Sequence, residues 1–296
     1  MATLANKYRP QDFVDVTGQE VNIKILTKQI NDNTYSHSIL FAGPAGCGKT
    51  TCAKILANKI DGEVIELDCA SHNGVADVKE IIEIAKNKPI LHNYKVFILD
   101  ECHTLSPQAW SSMLITLEEN LPYAIFIFCT TDTQKIPDTI ISRLQRFNFL
   151  PITEKDMLAR LKVICNKENL NVSEESLSYI VSVSKGNLRQ ALTNLDKCVM
   201  YDDFSVESVC KVLNIVSKHV LVDLYNAYEN KSTSDIINII ESLYNNGYEL
   251  HQFVTQFLNY CLNQNDFKLV ERILQLIRDI RYDDNPKNII IASLII

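Results

Sequence analysis

Gly43-Pro44-Ala45-Gly46-Cys47-Gly48-Lys49-Thr50 decides the reading of this chain. The stretch has the spacing G-x-x-x-x-G-K-T. An apolar run at 38–41 precedes it, and a helical pattern from about 50 to 59 follows. Glycines let backbone N–H groups curl around a phosphate without a Cβ in the way. Lys49 brings a cation to the β- and γ-phosphates, and Thr50 offers a hydroxyl to Mg²⁺. The helix that starts at Lys49 adds the positive end of its dipole. Strand, loop and helix in this order are the context that a phosphate-binding loop requires.

Working outward, further strand-like runs fall at 64–67, 96–99, 125–129 and 147–150, with helical patterns between them, and those at 96–99 and 125–129 are continuously apolar. Continuous apolar runs of this length predict a parallel sheet covered on both faces. Five such runs predict an α/β P-loop fold with a five-stranded sheet and flanking helices. In such sheets the ligand sits at the carboxyl ends of the strands. Asp100-Glu101 follows the run 96–99: Asp100 is placed to hold the Mg²⁺ shell and Glu101 to polarise an attacking water. Thr130-Thr131 follows 125–129, either as a hydroxyl pair near the γ-phosphate or as a strand-end turn with Asp132. Arg143, its neighbour Arg146 and Arg189 have no spacing of their own that separates them from ordinary surface arginines.

After Pro151 the pattern becomes helical. Thr153 begins a run with Met157, Leu158, Leu161 and Ile164; Leu177, Ile180 and Val181 mark a second, and Leu188 to Leu195 a third. From about 214 the runs 220–228, 234–244, 250–262 and 267–280 are helical again, and the apolar 289–296 is expected to pack as a terminal helix or strand. The expected domains are 1–151 (nucleotide-binding), 152–213 (a small helical lid) and 214–296 (helical, collar-like). A chain of 296 residues is long enough for several cores. A net charge of -7 argues against non-specific adhesion to nucleic acid, though not against a local basic patch. The nine cysteines form no C-x-x-C pair, so buried free thiols in a reducing compartment are expected and zinc is not. No signal peptide or membrane span is expected, which places the chain in the cytoplasm.

Together these residues resemble the clamp-loader branch of the AAA+ ATPases, nearest to the bacterial DNA polymerase III gamma/tau family. Tyr8-Arg9-Pro10, Phe13 and Val16-Thr17-Gly18-Gln19-Glu20 stand where that family has its opening motif near the adenine. Asp100-Glu101-Cys102-His103, Leu117-Glu118-Glu119, Thr130-Thr131-Asp132, Ser142-Arg143-Leu144 and Gly186-Asn187-Leu188-Arg189-Gln190-Ala191-Leu192 follow in register. The resemblance implies ATP with Mg²⁺ as ligands. It implies Thr131 as sensor 1, Arg143 as an arginine finger for a neighbouring subunit's ATP, and Arg189 as sensor 2. The nucleotide set is then Tyr8, Arg9, Val16, Gly43, Pro44, Ala45, Gly46, Cys47, Gly48, Lys49, Thr50, Thr51 and Arg189. The catalytic set is Glu101, Lys49, Arg143 and Thr131, and the metal set Thr50 and Asp100.

The resemblance also implies a hetero- or homo-oligomeric, pentameric loader, a sliding clamp and primer-template DNA as partners, and no membrane. Two departures stand out. The four-cysteine zinc module of bacterial relatives is missing between the loop helix and the next strand, and Leu144 replaces a cysteine in the Ser-Arg motif. Without the long tail of tau, the chain reads as a short gamma-like form of bacterial or phage type, with polymerase tethering doubtful. The 69–74 stretch with Lys79 lies where relatives face DNA, and Leu105, Trp110 and Met113 either meet the clamp or form core. Leu221, Leu224, Ile236, Ile240, Leu243, Phe253, Phe257 and Leu262 either line a subunit collar or close a self-contained bundle. Alternative functions are another AAA+ DNA-remodelling ATPase, of branch-migration or recombination type, and a structural subunit that only holds nucleotide.

Overall fold

The computed structural model describes residues 3–119, 121–283 and 285–295. The chain divides into two compact units. One runs through Asn169 and takes in Val181–Thr193; the other holds Leu170–Ile180 and continues from Asn194.

The first unit is built on five parallel strands: β1 (Ser38–Ala42), β2 (Gly62–Asp68), β3 (Tyr94–Asp100), β4 (Ala124–Thr130) and β5 (Gln145–Asn148). Their order across the sheet is β2-β3-β4-β1-β5. Alternate side chains of the central strands enter separate cores on the two faces. Leu40, Phe97, Leu99, Phe126 and Phe128 pack with Val78, Ile82, Trp110 and Met113 from the helices Val75–Ala85 and Pro107–Glu119. Ile39, Phe41, Ile98, Ile125 and Ile127 pack with Ala53, Leu56 and Leu26 from the helices Lys49–Lys59 and Glu20–Asn31. Burial on both faces is why these strands read as unbroken apolar runs.

β5 departs from the expected 147–150 and lies two residues upstream. As an edge strand it alternates: Phe147 and Phe149 point inward, Arg146 and Asn148 outward, and Leu150 is 67% exposed. The last ladder bond runs from the Phe149 N–H to the Ala42 carbonyl at 2.7 Å. A short helix, Asp138–Ile141, follows Pro137 and leads into β5. Thr153 does open its helix, Glu154–Lys167, and its hydroxyl accepts the Asp156 N–H at 3.2 Å.

The second unit contains the helices Lys218–Glu229, Thr233–Asn245, Leu250–Asn263, Phe267–Asp279 and Lys287–Ile295. Leu224, Ile240, Phe253, Phe257, Ile273 and Ile290 form their common core. The stripe weighed for a collar is consumed here: Leu221, Leu224, Ile236, Ile240, Leu243, Phe253 and Phe257 are buried, and only Leu262 of that set is exposed, at 43%. Their spacing reports the bundle's own core, not a subunit contact. The terminal apolar segment packs as a helix through Ile290 and Leu294, while Ile296 lies outside the described residues. Among the described residues no helix is long and apolar enough to cross a membrane.

Candidate nucleotide site

The strand order brings three loops together. β4 lies between β3 and β1, so the turn after Thr130 sits beside Asp100-Glu101 on one side and the glycine loop on the other. The loop itself is shaped by left-handed backbone at Gly46 (φ 68°) and Gly48 (φ 103°). A Cβ on Gly46 would lie 1.7 Å from Asn187 Oδ1, whereas Gly48 faces open space. Asn187 Oδ1 accepts the Gln190 N–H at 2.9 Å, at the start of the helix Leu188–Tyr201. The missing side chain at Gly46 thus allows that helix to begin directly over the loop.

A cleft opens at this point. Ala45 to Thr51, Asp100, Glu101 and Arg189 line it, with Tyr8, Arg9 and Val16 along another wall. The backbone N–H groups of residues 45–51 make no hydrogen bond to a described backbone acceptor. Lys49 is 5% exposed, and its ammonium donates to the carbonyls of Gly43 at 2.9 Å and Pro44 at 2.8 Å, with no carboxylate paired to it among the described residues. A buried cation without a counter-ion, beside a row of unpaired N–H donors, is matched by a polyanion. The Arg189 guanidinium, exposed at the rim, likewise pairs with no carboxylate among the described residues. Thr50 Oγ1 donates to Asp100 Oδ2 at 2.7 Å, which puts two hard oxygen ligands side by side, as Mg²⁺ prefers. The donor set therefore fits phosphates with a divalent cation.

Glu101 occupies left-handed backbone, φ 47°, a conformation that costs a non-glycine residue about 1–3 kcal/mol and is concentrated at functional sites. Its Oε2 accepts the Thr131 hydroxyl at 2.9 Å and lies 3.3 Å from His103 Nδ1. Thr130 and Thr131 separate here. Thr130 is fully buried and its hydroxyl closes the turn, donating to the Asp132 carbonyl and accepting the Asp132 N–H, both at 3.0 Å. Thr131 faces the carboxylate. The thiols of the loop and its helix are protected: burial raises Cys47, which lines the cleft, and pushes Cys52 up to about 12.

Comparison with known proteins agrees with this geometry. The model of the AAA ATPases, a family associated with various cellular activities, matches residues 39–152, and that of the RCF1/5-like AAA+ ATPase lid domain matches 159–200. DNA polymerase III subunit gamma/tau of Mycoplasma genitalium is 34% identical over 87% of this chain and 48% of its own. DNA polymerase III subunit tau of Bacillus subtilis is 34% identical over 94% of this chain and 54% of its own. The chain belongs to the AAA+ ATPases. It spans about half the length of these curated relatives. The RuvB Holliday junction branch migration motor of Thermotoga maritima superposes with a TM-score of 0.57 at 21% identity, covering 75% of this chain and 80% of that one, and at that identity the likeness is one of fold.

Within this AAA+ ATPase, Arg143 stands apart from the cleft. It donates to Glu118 Oε1 and to the Thr139 carbonyl, each at 2.6 Å, on the surface. Leu144 beside it is buried, so the apolar substitution in the Ser-Arg motif fills core. Leu105, Trp110 and Met113 are 5%, 2% and 0% exposed, which makes them core residues and removes them as clamp contacts. Trp110 packs on Phe128 with ring centroids 5.6 Å apart. The stretch considered for DNA is occupied by acids. Asp68 accepts the Ala70 N–H and the Ser71 hydroxyl, and Asp77 accepts the Gly74 N–H, so these donors are not free for phosphates.

Sequence reasoning missed Arg160, Ile152 and Leu192, which also line the cleft. Their apolar or basic character is ordinary for a helical segment, and no motif surrounds Arg160 or Ile152. Leu192 lay inside the quoted Gly186–Leu192 stretch, whose reading settled on Arg189 alone.

Proposed function

We propose that this chain is the ATP-hydrolysing subunit of a sliding-clamp loader in DNA replication. The observation that carries the reading is the buried Lys49 ammonium, held only by two carbonyls and by no carboxylate among the described residues, beside the N–H groups of residues 45–51, with Glu101 lining the same cleft. The similarity to gamma and tau subunits of DNA polymerase III supports the replication role. The domains follow the family: 1–151 binds nucleotide, 152–213 forms the lid, and 214–296 is the collar part. The site of action is the cytoplasm.

In this reading Lys49 leaves the Gly43 and Pro44 carbonyls for the β- and γ-phosphates of ATP. Thr50 and Asp100 hold Mg²⁺, which neutralises phosphate charge when bound. Glu101 orients the attacking water, and Thr131 fixes the carboxylate or the γ-phosphate. Arg189 reaches the γ-phosphate from the lid. Arg143 completes the site of a neighbouring subunit, so hydrolysis reports on assembly. Subunits arranged as a pentamer open the clamp with ATP bound, grip primer-template DNA, and release the clamp on hydrolysis.

The test is ATP turnover by the purified chain, alone and with candidate loader subunits, with and without primed DNA and a sliding clamp, using Lys49→Ala as control. Stimulation by clamp plus primed DNA that the control lacks is the expected result. Turnover driven by branched DNA and indifferent to the clamp would replace this reading with a remodelling motor. Nucleotide binding with no turnover in any mixture would replace it with a structural subunit.

A further inference from the structure

The stretch Ala5–Pro10 runs along one wall of the cleft, contributing Ala5, Asn6, Tyr8, Arg9 and Pro10. It is held from both sides. Arg9 Nε donates to Thr51 Oγ1 at 3.3 Å, in the first turn of the loop helix. On the other side Arg160 Nη2 donates to the Tyr8 carbonyl at 3.1 Å. The Tyr8 hydroxyl donates to Glu168 Oε1, and the Lys7 ammonium lies 2.6 Å from the same oxygen. Lys7 and Lys167 flank the Tyr8 ring at 5.6 and 5.9 Å from its centroid. One carboxylate therefore gathers two groups of the strap amid three basic side chains. Removing its charge would leave Lys7, Lys167 and Arg160 to repel one another.

Apart from the Arg9 bond to Thr51, these contacts do not touch the phosphate loop. Glu168 touches only the strap, and Arg160 meets it through the Tyr8 backbone. Their leverage is on whether the wall stays in place. We infer that Glu168 and Arg160 are positioning residues that pin the strap over a bound nucleotide and set its residence time, not the rate of the chemical step. This rests on the reading of the cleft as a nucleotide site. The pin is electrostatic and solvent-exposed, so it weakens as salt screens it.

The experiment is stopped-flow release of a fluorescent, ribose-labelled ADP from the full chain, chased with unlabelled ADP. The variants are Glu168→Gln, Arg160→Gln, and Tyr8→Phe, which keeps the ring and deletes the hydroxyl. The pair Glu168→Gln with Tyr8→Phe is expected to release the probe about ten-fold faster, the scale of one exposed ion pair plus one hydrogen bond to a charged group. In Glu168→Gln, whose side chain does not line the cleft, KM for ATP rises with the release rate and kcat does not follow. In the wild type, release accelerates from low to high salt; in Glu168→Gln that salt dependence is largely lost. The salt comparison needs no loosened fold to be read, and unchanged thermal melts separate strap from scaffold. Release rates equal to wild type, or a fall in kcat with release unaltered, would overturn the inference. A wild-type chain that binds no labelled ADP would overturn the nucleotide reading itself, and this inference with it.

Discussion

Replacing Gly46 with alanine should damage the nucleotide site by an amount that can be built from its surroundings. Left-handed backbone at φ 68° costs an L-residue roughly 1–2 kcal/mol relative to glycine. The new Cβ would also lie 1.7 Å from Asn187 Oδ1 and 2.4 Å from its Cγ, so that side chain must leave. Asn187 then gives up the Gln190 N–H at the start of the helix Leu188–Tyr201, a capping loss of about 1 kcal/mol. The sum is about 2–3 kcal/mol, or roughly 30- to 150-fold in an equilibrium constant. If the loop yields, the loss appears as weaker ADP binding by calorimetric titration; if it holds, it appears as a lower thermal midpoint. The double variant Gly46→Ala with Asn187→Gly removes the clash, and glycine at a cap costs only a few tenths of a kcal/mol. It should therefore recover about 1 kcal/mol over the sum of the two single changes. Unchanged binding and melting in Gly46→Ala, or strict additivity in the double variant, would refute the idea that this glycine seats the helix over the loop.

Other outcomes follow from the same geometry. Arg143→Ala breaks an exposed ion pair worth about 0–1 kcal/mol, so melting of the isolated chain should barely move, while turnover of the assembled loader should fall by about 10³-fold. An equal loss in the isolated chain would place Arg143 in its own site. Thr131→Val deletes the hydroxyl bonded to Glu101 and should lower turnover by about 10- to 100-fold with ADP affinity retained, whereas Thr131→Ser should restore most of it. All nine cysteines are buried, with Cys52, Cys69 and Cys261 pushed up to about 12, so an aromatic disulfide reagent at pH 8 should label the native chain slowly and the denatured chain at once. Rapid native labelling of even one thiol would contradict that burial.

The strap has a pH window with a definite sign. Hydrogen bonds from Lys7 and Tyr8 lower Glu168, so its contribution is present above the usual glutamate range and is lost as pH falls through the depressed value. The Glu168 contact raises Lys7, so that contribution is lost only as pH climbs through its raised value. Nucleotide release should therefore be slowest across the neutral range and quicken towards acid; an acid dependence that is the same in Glu168→Gln as in the wild type would count against the ion pair.

How much was legible depended on whether a signal was local. The loop Gly43–Thr50, its helix and the acids Asp100 and Glu101 were readable because glycine conformations, a cation and a strand-end carboxylate must be adjacent in the chain to work together. The strands β1, β3 and β4 were readable because burial on both faces leaves apolar runs, whereas β2, at the other edge of the sheet, was marked by Val64, Ile65 and Leu67 although none of its residues is fully buried. β5 was placed two residues late because an edge strand alternates, and Leu150 mimicked a run while pointing to solvent. The helices Glu20–Asn31 and Val75–Ala85 were not singled out, since functional motifs at their starts drew the reading first. Trp110 and the stripe from Leu221 to Phe257 show the limit of apolar spacing: it says that a face is buried and not against what.

By itself, then, the sequence determined the phosphate loop, the parallel sheet and the acids at its edge, because each is encoded within a few consecutive residues. Tertiary structure alone decided that Thr131 and not Thr130 faces Glu101, that Asn187 fills the space left by Gly46, and that Arg160 and Glu168 reach the strap at Tyr8. These pairs lie far apart in the chain, from 30 residues for Glu101 and Thr131 to 160 for Tyr8 and Glu168. Contacts at that separation are fixed by strand order and helix packing, which no local pattern records.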